Sequence, residues 1–268
     1  MAAFLREQMD PPWSLDSWRQ AITSPWPSPS SNHGFQLLDG ERIVGAYVAY
    51  YAEREVAGAV ERTCNLGTWA VHPDYRGEGL RLLLELLRQD GYTYTDLTPN
   101  PTVQRIISRL GFEPLGTEAI AVPNLPWLPL PGRGRVTTDP ATIERELSGD
   151  ELRLYRDHAG AAAVRHLLLR RGRERCYVAL RMDAWRRLPI CTLLYVGNAK
   201  LLAGMAGPFA RHLLIRHGAV AHVIDGSIAP SYRPRLFLRK ARSWRTFRSD
   251  RLRPEQIDYL YSELACLP

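Results

Sequence analysis

One stretch constrains this chain more than any other: Trp69-Ala70-Val71-His72-Pro73-Asp74-Tyr75-Arg76-Gly77-Glu78-Gly79-Leu80-Arg81-Leu82-Leu83-Leu84. An extended apolar run from 64 to 71 ends at a proline, crosses a glycine-bearing turn, and enters a helix over 80–88 whose leucines cover one broad face. A strand that hands straight into a helix belongs to a mixed α/β sheet flanked by helices. The turn also carries chemistry, because consecutive backbone N–H groups at the positive end of a helix dipole bind anions. Gly77 and Gly79 are expected to let a diphosphate approach without a Cβ in its way, and Arg76 to add a bidentate contact. No Gly-Lys-Ser/Thr closes the turn, so it is not a P-loop. The plainer reading is an ordinary strand-to-helix turn with Arg76 and Glu78 in solvent.

The flanking sequence extends the α/β pattern. A short helix is expected over 15–22, capped by Ser14 and stopped by Pro25. Two antiparallel strands, 35–38 and 43–51, are joined at Asp39-Gly40. A strand at 92–97, a helix at 103–110 and an extended piece from Gly111-Phe112 follow. Pro114, Pro123, Pro126, Pro129 and Pro131 then deny both helix and ladder hydrogen bonds. The expected division is therefore a first domain over 1–120, a proline-rich linker over 121–137 and a second domain over 138–268. In that second domain, helices are expected at 141–147, 159–169 and 201–216, and strands at 176–182, 190–196 and 219–225. The order repeats that of the first.

Charge divides the chain similarly. Residues 1–130 hold 10 Arg against 15 acidic residues, whereas 131–268 hold 25 basic against 13, so net charges of −5 and +12 make up the total of +7. Only Lys200 and Lys240 are lysines, so the arginine richness reads as compositional bias more than as a nucleic-acid signal. Arg233, Arg235, Arg239, Lys240, Arg242, Arg245 and Arg248, interleaved with Tyr232, Phe237, Trp244 and Phe247, suggest nucleic acid, but a solvated basic face is the preferred reading. Cys64, Cys176, Cys191 and Cys266 are too scattered for a metal cluster and read as buried thiols; no metal is expected. No apolar run is long enough to span a membrane, and charge comes too early for a secretory leader, so the cytoplasm is the expected location.

The turn and its surroundings resemble the GNAT superfamily of acyl-CoA N-acyltransferases over about 35–115. Their loop pattern, Arg/Gln-x-x-Gly-x-Gly/Ala after a strand ending Val-x-Pro, is met by Arg76, Gly79, Val71 and Pro73, with Arg81 at the final small position. A second block, Asn-x-x-Ala-x-x-x-Tyr-x-x-x-Gly-Phe, is met by Asn100, Gly111 and Phe112, with Val103 and Ile107 at the Ala and Tyr positions. The resemblance implies a mixed sheet with two strands splayed apart and acetyl-CoA or another acyl-CoA between them. Its pantetheine would lie along Trp69, Ala70 and Val71, its diphosphate at Arg76, Gly77, Glu78, Gly79, Leu80 and Arg81, and Asn100 would face it. The implied activity is acyl transfer, acetyl above all, to an amine of a small molecule.

Catalytic groups are harder to name. Ile107 stands where the family's tyrosine donor would be, and Asn65 where many relatives carry a glutamate base. Glu61 is the nearest carboxylate and the one candidate base; His72, Tyr92 and Tyr94 read as loop and packing residues. A base from the second half, a relayed water, or a non-catalytic acyl-CoA sensor or scaffold remain alternatives. The second domain is expected to be a degenerate copy, Gly204-Met205-Ala206-Gly207 standing in for the loop and Pro208 interrupting the helix, or else an unrelated basic α/β domain. Its arginines favour an acceptor carrying a carboxylate or phosphate.

Overall fold

The computed structural model describes every residue except 10–12, 29, 31, 117, 127–133, 231, 235, 242–243 and 268, and the side chains of 239–241. In chain order the elements are α1 (Ala2–Gln8), α2 (Leu15–Ala21), β1 (Gly34–Asp39), β2 (Arg42–Val56), β3 (Ala59–Val71), α3 (Gly79–Leu87), β4 (Tyr92–Asp96), α4 (Pro101–Ser108) and β5 (Glu113–Pro114). They continue with β6 (Ala119–Pro123), β7 (Arg135–Thr137), α5 (Pro140–Glu146), α6 (Gly149–His158), β8 (Val164–Arg171), β9 (Glu174–Trp185), β10 (Leu188–Val196), α7 (Ala199–Gly204) and α8 (Ala206–His217). Last come β11 (Ala221–Asp225), β12 (Arg239–Ala241), β13 (Thr246–Arg248) and α9 (Glu263–Cys266).

Two units result. The first comprises Met1–Glu113, Arg245–Arg253 and Tyr261–Pro268; the second comprises Pro114–Trp244 and Pro254–Leu260. This differs from the expected boundaries, because two C-terminal pieces return to the first unit. The stretch expected to be linker begins and ends in strands of the second sheet, β6 and β7, since Ile120 and Val122 have a ladder partner in β11. Pro129 and Pro131 lie outside the described residues.

In the first unit, the sheet runs β1-β2-β3-β4-β13-β5. The β1–β2 turn falls at Gly40 (φ +59), as the Asp-Gly pair predicts, and β2–β3 turns through Ala57 (φ +53) and Gly58 (φ +83), the left-handed pair of a tight hairpin. Ser14 Oγ accepts from the Ser17 N–H at 3.1 Å and starts α2. Leucines of α3 (Leu82, Leu83, Leu86) pack with Tyr47, Tyr51, Cys64, Leu66 and Phe112 into one core.

The second sheet runs β12-β6-β11-β10-β9-β8-β7. Its central part repeats the first: β8-β9-β10 are antiparallel like β1-β2-β3, helices follow, and β11 pairs parallel with β10 as β4 does with β3. An antiparallel strand then flanks the fourth strand in each sheet, β13 on β4 and β6 on β11. Each is remote in sequence from the strand it flanks: β6 precedes the other strands of its sheet, and β13 follows the second unit's helices α5 to α8.

Two expectations fail locally. Residues 164–169 are strand, not helix: Leu167, Leu168 and Leu169 are all buried, and a short apolar run covered on both faces has no period to distinguish the two states. Residues 201–216 break into α7 and α8 at Met205, which puts Pro208 in the first turn of α8, where its missing N–H interrupts nothing. The cysteines are free, three of them buried and Cys266 half-buried. Among the described residues no helix is long and apolar enough to cross a membrane.

Candidate active site

The first unit's sheet opens on one side of β3. Strands β3 and β4 pair in parallel from Arg62↔Tyr92 to Asn65↔Thr95, and β4 ends at Asp96 while β3 continues to Val71. Residues 66–71 thus have β2 on one side and no ladder partner on the other among the described residues. A bulge begins at the same place. Ala49 faces Leu66 but Tyr47 faces Trp69, so Gly67 and Thr68 together oppose Val48. Such an extra residue bends the strand and re-aims its edge. Gly67 is required there, since a Cβ would come within 2.7 Å of the Tyr50 ring, which is anchored by a 2.6 Å hydrogen bond from its hydroxyl to Ala21 O.

Trp69 stacks on Tyr47 (centroids 4.8 Å apart), and its indole N–H is buried without an acceptor among the described residues. Ala70 is buried and Val71 half-buried. The turn that follows is a 3-10 helix over Pro73–Glu78, entered through His72, whose Nδ1 accepts from the Asp74 N–H at 3.4 Å. It delivers the chain directly to the start of α3. Arg76 and Gly77 are exposed, and a Cβ on Gly77 would meet nothing within 4 Å. Gly79 differs from expectation. Its Cβ direction points at Val71 Cγ2 (3.0 Å) and Trp69 Cζ2 (3.5 Å), so the absent side chain serves helix–strand packing rather than an approach from outside. Leu80 is exposed, and Arg81 pairs with Glu78 at 2.9 Å across the surface.

Asn100 caps α4: its Oδ1 accepts from the N–H groups of Thr102 (3.0 Å) and Val103 (2.9 Å). Ile107 is core. Glu61 lies four residues before the last paired position of β3, roughly 13 Å along the strand from the opening. It faces Arg251 at 3.9 Å and is not brought to the site. Tyr94 donates to Leu86 O and Gln89 O, and Tyr92 accepts from Arg62, so both tyrosines are structural.

A carboxylate invisible to motif reading stands where β3 and β4 part. The Glu263 N–H donates to Asn65 Oδ1 (2.9 Å), Asn65 Nδ2 donates to Thr95 Oγ1 (3.0 Å), and the Thr98 hydroxyl donates to Glu263 Oε1 (2.9 Å). Glu263 is buried, and its Oε2 has no hydrogen-bond partner among the described residues. Burial pushes its pKa up to about 7, against the lowering effects of Thr98, Asn65 and Arg245. Asp96, also buried, is raised by burial and by the Glu263 charge.

The second unit builds the same opening and closes it. β10 and β11 pair only from Ile190↔Ala221 to Thr192↔Val223, and β10 carries a bulge between Leu193 and Tyr195. The bulge carbonyl of Leu194 accepts from the Tyr259 N–H at 3.2 Å, so the chain itself occupies that edge. Gly204, at the end of α7, does not stand in an open loop either: a Cβ there would lie 2.7 Å from Arg171 Nη1.

Residues 2–112 match the acetyltransferase (GNAT) family model. A search of curated proteins returns no match. Among solved structures, the chain is similar to a GCN5-related N-acetyltransferase from Anabaena variabilis (TM-score 0.56, 11% identity, 92% of this chain and 68% of that one). It is similar to another from Kribbella flavida (TM-score 0.51, 16% identity, 79% of this chain), of whose length it spans 58%. The N-myristoyltransferase of Saccharomyces cerevisiae, solved with myristoyl-CoA, superimposes with a TM-score of 0.52 at 9% identity over 97% of this chain and 80% of that one. At such identities the likeness is one of fold. The chain thus has the fold of these acyltransferases, its two units repeating one architecture, and residues 2–112 match the acetyltransferase (GNAT) family model.

Proposed function

We propose that the first unit binds an acyl-CoA, acetyl-CoA or a longer homologue, and transfers its acyl group to the amine of a small molecule. The observation that carries this reading is the parallel pair that stops at Asn65↔Thr95 while β3 runs on, edge free, to a helix start. A free strand edge offers alternating N–H and C=O groups to the amides of a pantetheine arm, in the manner of strand addition. Trp69, Ala70 and Val71 supply that edge. The backbone around Gly77, with Arg76 beside it, offers donors and charge to a diphosphate. Gly79 contributes by letting α3 lie against β3, and Asn100 by fixing the start of α4. The amine nitrogen attacks the thioester carbonyl, the C–N bond forms and the C–S bond breaks, and CoA leaves as the thiol. The net charge of +12 over 131–268 favours acceptors bearing a carboxylate or phosphate by long-range attraction.

The test is release of free thiol from acetyl-CoA and longer acyl-CoAs against a panel of amines and alcohols. Turnover is expected with amines, fastest at low salt for those that also carry an anionic group. Saturable acyl-CoA binding with no thiol released across the panel would replace this reading with that of a non-catalytic acyl-CoA sensor.

A further inference from the structure

We propose that Glu263 is the proton acceptor of the acyl-transfer step, reached through the hydroxyl of Thr98. The proposal rests on the acyltransferase reading above and adds the group that motif reading does not find.

Three observations converge on it. First, Glu263 lies at the vertex of the opening: its backbone is held by Asn65, the last residue of β3 paired with β4, and its carboxylate by Thr98, two residues past the end of β4. An acyl chain whose pantetheine follows β3 inward from Val71 must end at this vertex. Second, the carboxylate is buried while Thr98 is exposed, so the hydroxyl links the surface to a base that solvent does not reach. Third, Oε2 has no hydrogen-bond partner among the described residues, an expense of burial that a merely structural carboxylate would normally avoid. The groups facing it are Asp96 on β4, Tyr47 and Tyr50 on β2, Cys266 on α9 and Arg245 ahead of β13. Of these only Arg245 favours the charged form. Burial outweighs it, which places the ionisation of Glu263 at about 7, where a base can both hold and release a proton in neutral solution.

The protons balance. The acceptor ammonium gives one proton to Thr98 Oγ1 as the Thr98 hydroxyl proton passes to Glu263 Oε1. The neutral amine then attacks the thioester carbonyl, and the C–S bond breaks as the adduct collapses. The adduct's surplus N–H proton goes to the departing sulfur, and Glu263 returns its own proton to solvent through Thr98.

The experiment is the pH profile of kcat/KM, measured with acyl-CoA binding and Tm, for the wild type, Glu263→Gln, Thr98→Val and Thr98→Ser. In the wild type, activity should rise with pH through about 7 as the carboxylate forms. Glu263→Gln and Thr98→Val should lose that limb and fall on the order of 10²- to 10⁴-fold above it, with acyl-CoA affinity unchanged. Thr98→Ser should restore most of both. If Glu263→Gln does not fold, the Thr98 pair, at an exposed position, decides. A folded variant that keeps the wild-type limb and rate, or a Thr98→Ser as impaired as Thr98→Val, would overturn the assignment. Wild-type protein that binds acyl-CoA but never turns it over would instead overturn the acyltransferase reading, and this proposal with it.

Discussion

At the scale of single residues, the two glycines of the turn have separable jobs. Gly77 faces open space, so a larger side chain fits the fold but intrudes where a diphosphate would approach, whereas a side chain on Gly79 meets Val71 at 3.0 Å. Gly77→Val should therefore keep its Tm and lose at least about tenfold in acyl-CoA affinity by calorimetry, a difference of about 1.4 kcal/mol. Gly79→Val should lower Tm, at a cost of about 1–3 kcal/mol typical of overpacking. Unchanged affinity in Gly77→Val would remove the turn from the binding site. Asn100 divides similarly. Because its Oδ1 already caps α4, Asn100→Ala should destabilise the protein by about 1 kcal/mol in urea denaturation without ligand, whereas Asn100→Ser, which keeps a capping oxygen, should retain most of the wild-type stability. An alanine variant of wild-type stability would mean that the cap contributes nothing.

At the scale of elements, the sequence was most legible where local signals agree. The helix over 15–21 has its Ser cap and its Pro stop, the 34–56 hairpin has Asp-Gly, and α3 has a leucine face behind a proline turn. β8 was misread because its leucines are buried on both faces, and its partner register from Val164↔Arg181 to Arg171↔Glu174 is a tertiary fact. Glu263 was invisible for the same kind of reason. Nothing around it forms a motif, and only chain return puts it 2.9 Å from Thr98. Tertiary enclosure also sets the behaviour of His222 on β11, which lies between Asn124 Oδ1 (2.7 Å) and the Tyr232 hydroxyl (3.1 Å). Burial lowers its pKa from 6.5 to about 3, and burial lowers His166 to about 4. A histidine kept neutral when folded takes up its proton more readily when unfolded. Its native state therefore loses nothing above pH 6.5 and is progressively weakened as pH falls toward about 3. Unfolding free energies from urea denaturation should fall between pH 6.5 and 4, by at most ~1.4 kcal/mol per pH unit for each such histidine. His222→Gln, which cannot titrate, should flatten part of that slope; an identical slope would place the acid sensitivity elsewhere.

For the whole molecule, the decisive fact is that two similar sheets are each finished by a strand remote in sequence from the strand it flanks. β13 pairs with β4 through Thr246↔Asp96 to Arg248↔Tyr94, and β6 pairs with β11 through Ala221↔Pro123 to Asp225↔Ala119. A cut at the proline-rich stretch would thus strip the first sheet of β13 and remove α9, so the halves named by charge and proline content are not the folding units. The same chain path makes the repeats chemically unequal. In the first unit the returning segment brings Glu263 to the opening, and residues 66–71 of β3 have no ladder partner on that edge among the described residues. In the second, Tyr259 donates its N–H to Leu194 O within the bulge, where a pantetheine amide would have to compete with a bond already made. An intramolecular partner is present at an effective concentration no free ligand matches, so that edge should stay closed. The expected stoichiometry is accordingly one acyl-CoA per chain by calorimetry and by native mass spectrometry. Two molecules per chain would show that the Tyr259 segment yields its place and that the second unit is a cofactor site in its own right.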